Sequence, residues 1–447
     1  MILEPELETM PREELGTLQT ERLRELISYL HERVPFYRHK LDEAGVGPMD
    51  VRSLDDLERL PFTRKDDLRD HYPLHLLAVP IEEVARIHAS SGTTGKMTVV
   101  AYTRTDLDVF ARVNARCLAM AGAEPGMMLH NAYGYGLFTG GLGLHDGGER
   151  LGLNVVPVSG GMTERQLTLI ADLRPQVIAC TPSYALTLAH AFRERGVQPH
   201  EISLEIALLG AEPWTETMRA EIDTLLGVRS TNLFGLSEII GPGVSGECAE
   251  ARDGLHVQED HFLPEIVDRE SGDPLPEGEE GVLVFTTLTK QALPLLRYWT
   301  GDIASLTREP CSCGRTLVRM SPIRGRADDM LIVRGVNLYP TQVEEVLGRV
   351  PELTAHYRLV VTREATLDEI EVQTEVTPGF FSSVGAELLS GEVVEADEVL
   401  RELRDRISSL IKGTLGCTMS VTLMGPGTVP RSEGGKLQRV VDRRQLV

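Results

Sequence analysis

From about residue 84 to residue 290, short apolar runs take turns with amphipathic stretches. This alternation limits the fold more than any other feature of the chain. "LNVVPV", "PQVIACTP", "EIALLGAEP" and "VRSTNLFG" have the length and composition of buried strands. Between them, "TERQLTLIADL", "SYALTLAHAFRERG" and "WTETMRAEIDTLLG" repeat apolar residues at helical spacing. Strands separated by helices pair side by side in one direction, so the stretch predicts an α/β domain with a largely parallel sheet. Upstream, residues 14–42 read as helices closed by Gly45, with Ser53 and Thr63 as N-caps in the segment that follows. Downstream, "HFLPEIVDRESGDPLPEGEEGVLVFTTLT" predicts two strands joined by a Gly/Pro/Asp turn. A fresh pattern then begins, with "MLIVRG", "YRLVVT", "DEIEVQTEV" and "MSVTLM" as strands and "PTQVEEVLGRV" and "ADEVLRELRDRISSLIKGTLG" as helices. The expected fold class is therefore α/β: a large N-terminal domain of mixed and parallel sheets with helices (1–326), followed by a small α+β domain (327–447).

Composition removes several functions. Acidic residues outnumber basic ones 67 to 45, a formal charge of −22, so the chain lacks the basic face that a general nucleic-acid binder needs. No apolar run is long enough to span a bilayer, and the acidic start "MILEPELETMPREEL" is no secretory signal. Six cysteines in 447 residues do not suggest a disulfide scaffold, and a cytoplasmic enzyme is expected.

One loop carries the first chemical signal. "HASSGTTGKMTVVAYT", starting at His88, gathers hydroxyls, glycines and a lysine before turning into a strand. Such a turn exposes backbone N–H groups that cradle phosphate. It is not a Walker A loop, which requires G-x-x-x-x-G-K-[ST] followed by a helix. Ser90 replaces the first glycine, Met97 replaces the Ser/Thr, and "TVVAYT" is a strand. A Ser/Gly-rich surface loop is the bland alternative, and the unbroken order Ser-Ser-Gly-Thr-Thr-Gly-Lys argues against it.

That order resembles the phosphate loop of the ANL superfamily of adenylate-forming enzymes, and within it the phenylacetate–CoA ligase family. "LPFTRKDDLRDHYPL", "NAYGYGLFTGGLGLH", "TPSYAL", "GAEPW", "FGLSEIIGPG", "LTKQALPLLRYWTGD" and "GRADDMLIVRGVNLYPTQVEE" follow in the family's order, over residues 34–442. The resemblance implies two steps: a carboxylate attacks the α-phosphate of ATP to give acyl-AMP and pyrophosphate, and the thiol of coenzyme A then displaces AMP. It assigns Ser91, Gly92, Thr93, Thr94, Gly95 and Lys96 to the phosphates. Ser237 is assigned to the α-phosphate and Glu238 to Mg²⁺, an ion that favours carboxylate and phosphate oxygens. Gly210, Ala211, Glu212, Pro213, Phe234 and Gly235 fall beside the adenine, and Asp302 and Arg326 at the ribose. Lys436, in "PRSEGGKLQRVVD", is implied to bridge carboxylate and α-phosphate, a phosphoryl clamp in kind. Asp328 is the implied hinge for rotation of the small domain, and Gly335 the implied lining of the coenzyme A tunnel.

Tyr135, Phe138, Gly140, Gly141, Ile240 and Pro242 are implied to line the acyl site, where rings flanked by glycine present faces to a flat acid. Core packing is the alternative for each aromatic. Three positions depart from the family. Phe234 stands where tyrosine is common and Met97 where proline is usual. Asp146 follows His145, so a carboxylate at the pocket rim would favour an amino- or hydroxy-substituted aryl acid.

"CSCGRT" places Cys311 and Cys313 two apart, downstream of Cys248 and His256. Four such ligands suit tetrahedral zinc; the C-x-C spacing alone is weak, but some ligases of this type carry a similar C-x-C-G-R, with free buried thiols the alternative. Cys117, Cys180 and Cys417 read as core. The leading function is an aryl-acid–CoA ligase using ATP, Mg²⁺ and coenzyme A, with a structural Zn²⁺ and, by resemblance, a homodimer. Acyl transfer to a carrier protein or another nucleophile, and a nucleotide-binding protein that has lost catalysis, are the alternatives.

Overall fold

The computed structural model describes residues 1–90, 97–326, 331–333, 336–364, 367–384, 398–430 and 439–443. The alternating segment forms the centre of a nine-stranded sheet. Its order is Leu306–Thr307, Arg319–Met320, Leu255–Val257, Gly241–Glu247, Arg229–Leu236, Ile206–Gly210, Val177–Cys180, Met128–Asn131, Asn154–Val156. The last five are parallel, as the intervening helices dictate. The first four and Arg229–Leu236 pair antiparallel, so the sheet is mixed. A second sheet is antiparallel throughout: Phe262–Val267, Gly281–Thr287, Tyr298–Ala304 and Gly325–Arg326. Its first two strands are those expected on either side of the Gly/Pro/Asp turn.

The helices Arg12–Arg33 and Pro35–Ala44 bury Leu23, Leu26, Ile27, Leu30, Tyr37 and Leu41 in the large core, and Gly45 ends them in a left-handed turn (φ 62°). Thr63 is not an N-cap. Arg64 precedes the helix Lys65–Asp70, while the Thr63 hydroxyl is buried, donating to the Leu296 carbonyl and meeting the Tyr37 hydroxyl. The glycine-bearing stretch "TGGLGLHDGGERL" is a helix, Thr139–Leu151. A Cβ on Gly143 would meet the Phe110 ring at 2.4 Å, and one on Gly147 would meet Asn114 at 2.5 Å. These glycines let it lie against the helix Arg104–Met120 at a spacing that larger residues forbid.

The small unit has its own core, drawn from Leu331 to Leu423. Its sheet runs Ser420–Met424, Leu367–Val376, Leu353–Glu364, Val440–Asp442, with the helix Glu398–Leu415 packed on it. It meets the large unit where the Thr215 hydroxyl donates to the Glu344 carboxylate and Ala355 packs on the cluster around Phe192.

Arg116 is buried (0% exposed) and holds Asp260 with two bonds of 2.8 and 3.1 Å. Removing one partner of such a pair strands the other charge. Arg116→Met is therefore expected to cost about 3–5 kcal/mol in urea unfolding; a loss below about 1 kcal/mol contradicts that account.

Candidate functional site

Parallel strands end at one edge of the sheet, and loops leaving that edge can converge on a ligand. Four segments leave that edge here: Ala132–Phe138 after Met128–Asn131, Thr181–Ser183 after Val177–Cys180, Ala211–Pro213 after Ile206–Gly210, and Ser237–Ile240 after Arg229–Leu236. The expected phosphate loop is the connection of a β-hairpin, Arg86–Ala89 with Val99–Tyr102, closed by the Ser90 N–H donating to the Thr98 carbonyl at 2.9 Å. A hairpin accounts for the strand that the Walker A pattern could not. Ser91, Gly92, Thr93, Thr94, Gly95 and Lys96 lie outside the described residues, as do Asp328, Gly335 and Lys436.

Several candidates sit at this edge with defined contacts. Gly210 must be glycine, because a Cβ would stand 2.0 Å from the Leu233 carbonyl oxygen. Ala211 next to it takes a left-handed backbone (φ 73°). The Glu212 carboxylate accepts from the Ser183 N–H at 2.7 Å, tying this segment to the neighbouring helix start. Phe234 stacks on Phe285, and Gly235 approaches the Gly241 carbonyl too closely for any side chain. Ser237 Oγ lies 3.3 Å from Thr139 Oγ1, and Glu238 is only 8% exposed. Asp302, also 8% exposed, pairs in register with Arg326 across the antiparallel sheet.

Around the expected acyl site, the Tyr135 hydroxyl accepts from Asn131 Nδ2 at 2.8 Å and meets His145 Nδ1 at 3.2 Å. Burial pushes its pKa up to about 12, so the phenol stays neutral. Phe138 is half exposed, Gly140 abuts the Tyr133 ring, and Gly141 faces the Gly134 carbonyl. Ile240 lies in the large core, next to half-buried Pro242. The rim carboxylate expected at Asp146 is paired with Arg86 at 2.8 Å, so it is not the free acceptor on which an amino- or hydroxy-substituted acid was expected. Tyr133 is core.

Sequence reasoning passed over Lys290 and Tyr102. Lys290 is wholly buried, with Nζ donating to the carbonyls of Glu238 (3.1 Å) and Ile239 (2.7 Å). Burial pushes its pKa down to about 8, against the pull of Asp106 and Glu238. A lone lysine within the apolar run "LTKQALPLL" was the available signal.

Away from this edge, Cys248, His256, Cys311 and Cys313 bring their ligand atoms within 4.8 Å of one another. Sheet pairing explains half of the cluster: Cys248 follows the strand Gly241–Glu247, whose Gly246 faces His256. The other half comes from the loop before Arg319–Met320. Cys248 Sγ is 3.7 Å from Cys311 Sγ, and Cys313 Sγ is 3.4 Å from His256 Nε2. A tetrahedral site with bonds of about 2.3 Å to sulfur and about 2.0 Å to nitrogen has edges of roughly 3.8 and 3.5 Å. The donor set therefore fits a closed four-ligand metal. Hydrogen bonds from Cys248 first, then from His256, hold the Cys313 thiol well below its ordinary range.

Residues 39–289 match the model of the AMP-binding enzyme family, and residues 335–444 that of the AMP-binding enzyme C-terminal domain. Phenylacetate-coenzyme A ligase from Thermus thermophilus is 67% identical over 445 residues, covering 100% of both chains. The chain belongs to the phenylacetate–CoA ligase family. Among solved structures, 2-hydroxyisobutyryl-CoA ligase in the postadenylation state with 2-HIB-AMP is 29% identical and superposes with a TM-score of 0.88 over 98% of this chain and 91% of that one. The same ligase in the thioesterification state, with 2-HIB-AMP and CoA, is 30% identical and gives 0.71 over 99% and 92%. This member of the phenylacetate–CoA ligase family thus has the ANL fold expected from its sequence. Among the described residues, no helix is long and apolar enough to cross a membrane.

Proposed function

We propose that the chain activates an arylacetic or closely related aryl acid, phenylacetate first among them. ATP-dependent formation of an acyl-AMP is followed by thioester formation with coenzyme A, the chemistry of AMP-forming acid–CoA ligases. The single observation that carries the acid class is the lack of an unpaired charge around the two rings: Tyr135 hydrogen-bonded to Asn131, Phe138 half exposed, and Asp146 paired with Arg86. An unsubstituted ring suits such a surface better than a charged one.

In this reading Ser237 donates to the α-phosphate, Gly210–Pro213 and Gly235 border the adenine, and Asp302 accepts from the ribose hydroxyls. Glu238 would hold Mg²⁺, which when bound supplies charge neutralisation at the phosphates. Its near-complete burial beside Ser237, at the end of a strand, supports a role for Glu238 other than solvation. Lys436 polarises the attacking carboxylate and α-phosphate, Asp328 is the hinge between 1–326 and 327–447, and Gly335 lines the path of the thiol. Zinc at Cys248, His256, Cys311 and Cys313 is structural, because four protein ligands leave no open position.

Pyrophosphate exchange into ATP, screened over aryl, arylacetic and short aliphatic acids, tests the assignment. Phenylacetate is expected to give the highest kcat/KM, ahead of ring-amino and ring-hydroxy analogues. A preference for an aliphatic or charged acid overturns the proposed class. AMP release that does not need coenzyme A would point to another acceptor.

A further inference from the structure

Residues 236–240 make one tight turn, with the Ile239 and Ile240 N–H groups both donating to the Leu236 carbonyl. The next four carbonyls, Ser237 to Ile240, have no place in that turn's own bonding, as at the C-terminal end of a helix. Two side chains from elsewhere reach them, Lys290 donating to two and the single Tyr102 O–H to Ile240, with the Ser237 oxygen a weaker second acceptor. The Tyr102 hydroxyl lies 3.4 Å from the Ser237 oxygen and 3.0 Å from that of Ile240. The Lys290 ammonium donates to the two between them and sits 4.9 Å from the Tyr102 ring centre.

Both side chains are anchored behind the turn. Asp106 accepts from the N–H groups of Gln291 (2.6 Å) and Ala292 (2.9 Å) directly after Lys290, and from the Thr103 N–H (2.8 Å) directly after Tyr102. Tyr102 ends the strand that leaves the 91–96 loop. One buried node therefore joins the strand beyond the loop to the turn that carries Ser237 and Glu238.

The charge of Lys290 is unusual for a purely structural part. Among the described residues it forms no ion pair, and its acceptors are two neutral carbonyls and a ring. The carboxylates of Asp106 and Glu238 act on it only from beyond ion-pair distance and burial outweighs their pull, a cost that a methionine filling the space would avoid. A cation directly behind Glu238 lowers the energy of a polyanion in front of it.

We infer that Lys290 is a positioning residue for the nucleotide triphosphate: with Tyr102 it holds the backbone carbonyls of the turn that carries Ser237 and Glu238 and supplies a buried positive charge to the phosphate side of the site. This rests on the assignment of Ser237 and Glu238 to the phosphates and Mg²⁺.

The test is Lys290→Met in the full chain. Binding of a non-hydrolysable ATP analogue with Mg²⁺ is measured by calorimetry, and the KM values for ATP, acid and coenzyme A by steady-state kinetics. The dissociation constant of the analogue and the KM for ATP should both rise about tenfold or more, the scale of a lost charge-assisted hydrogen bond. The KM values for acid and coenzyme A should stay within about twofold. Unchanged analogue affinity, or an equal rise in all three KM values, overturns the inference. If Lys290→Met does not fold, Tyr102→Phe decides: weaker analogue binding with normal acid KM supports it, and wild-type affinity overturns it. Glu238→Gln separates the underlying assignment. If that variant binds the Mg²⁺-analogue normally the reading of Glu238 fails, whereas impaired Glu238→Gln beside normal Lys290→Met fails only the inference.

Discussion

Lys436→Ala is expected to lose the adenylation half-reaction by about 10²–10³-fold, the usual cost of removing one electrostatic contact to a developing charge. Thioester formation from pre-formed acyl-AMP should survive. The split follows from how the chain beyond Lys436 is held. Arg439, three residues on, is half-buried, 3.3 Å from the Glu344 carboxylate and 4.7 Å from the Tyr357 ring centre. Glu344 in turn accepts from Thr215, just past the Gly210–Pro213 segment, and Glu212 adds its field to Arg439. Arg439 is thus tied through Glu344 and Thr215 to the adenine side of the proposed site in this arrangement. The better superposition on a postadenylation state than on a thioesterification state agrees. Assay of ATP–pyrophosphate exchange beside CoA-dependent consumption of synthetic acyl-AMP reads the two steps apart. Loss of both, or of neither, would remove Lys436 from the role proposed for it.

Much of this arrangement was legible in the sequence, and what was not has specific causes. The strands Ile206–Gly210 and Arg229–Leu236 and their helices were readable because a run buried on both faces has no rival at that length. The "SSGTTGK" loop was readable as non-Walker because the strand after it is strongly β-branched. The helix Thr139–Leu151 was hidden, since five glycines lower helix propensity and only tertiary contacts, such as Phe110 against Gly143 and Asn114 against Gly147, account for them. Thr63 looked like a cap because Ser and Thr cap locally; its partners Tyr37 and Leu296 are distant in sequence. Asp146 looked free for the same reason, Arg86 lying sixty residues away. Lys290 stood out only as a lone lysine in an apolar run, because its partners are carbonyls, which no sequence pattern displays. The Cys–His cluster falls between: C-x-C is a weak signal, and antiparallel pairing of Gly246 with His256 is what completes the set.

Metal analysis of freshly purified protein should find one zinc per chain, and Cys311→Ser should abolish it and lower Tm on the order of 10 °C. The expected size comes from what the cluster loop holds. Arg315, two residues past Cys313, makes a fully buried ion pair with Glu8 and donates to the Met1 carbonyl. The Thr316 N–H donates to the Glu8 carbonyl, and Glu8 accepts from the N–H groups of Leu3 and Glu4. Releasing the loop therefore frees the first ten residues and strands two buried charges, a loss of about 3–5 kcal/mol. Cys117→Ser removes a buried thiol outside the cluster and should keep its zinc, which separates ligand loss from core damage. The strand Gly241–Glu247 sets the cluster about 20 Å from the Ser237 turn. The folded fraction of Cys311→Ser should then keep a near-normal KM for ATP, as a structural metal requires and a catalytic one forbids. Protein that carries no zinc, or a Cys311→Ser variant that melts with the wild type, would end the assignment.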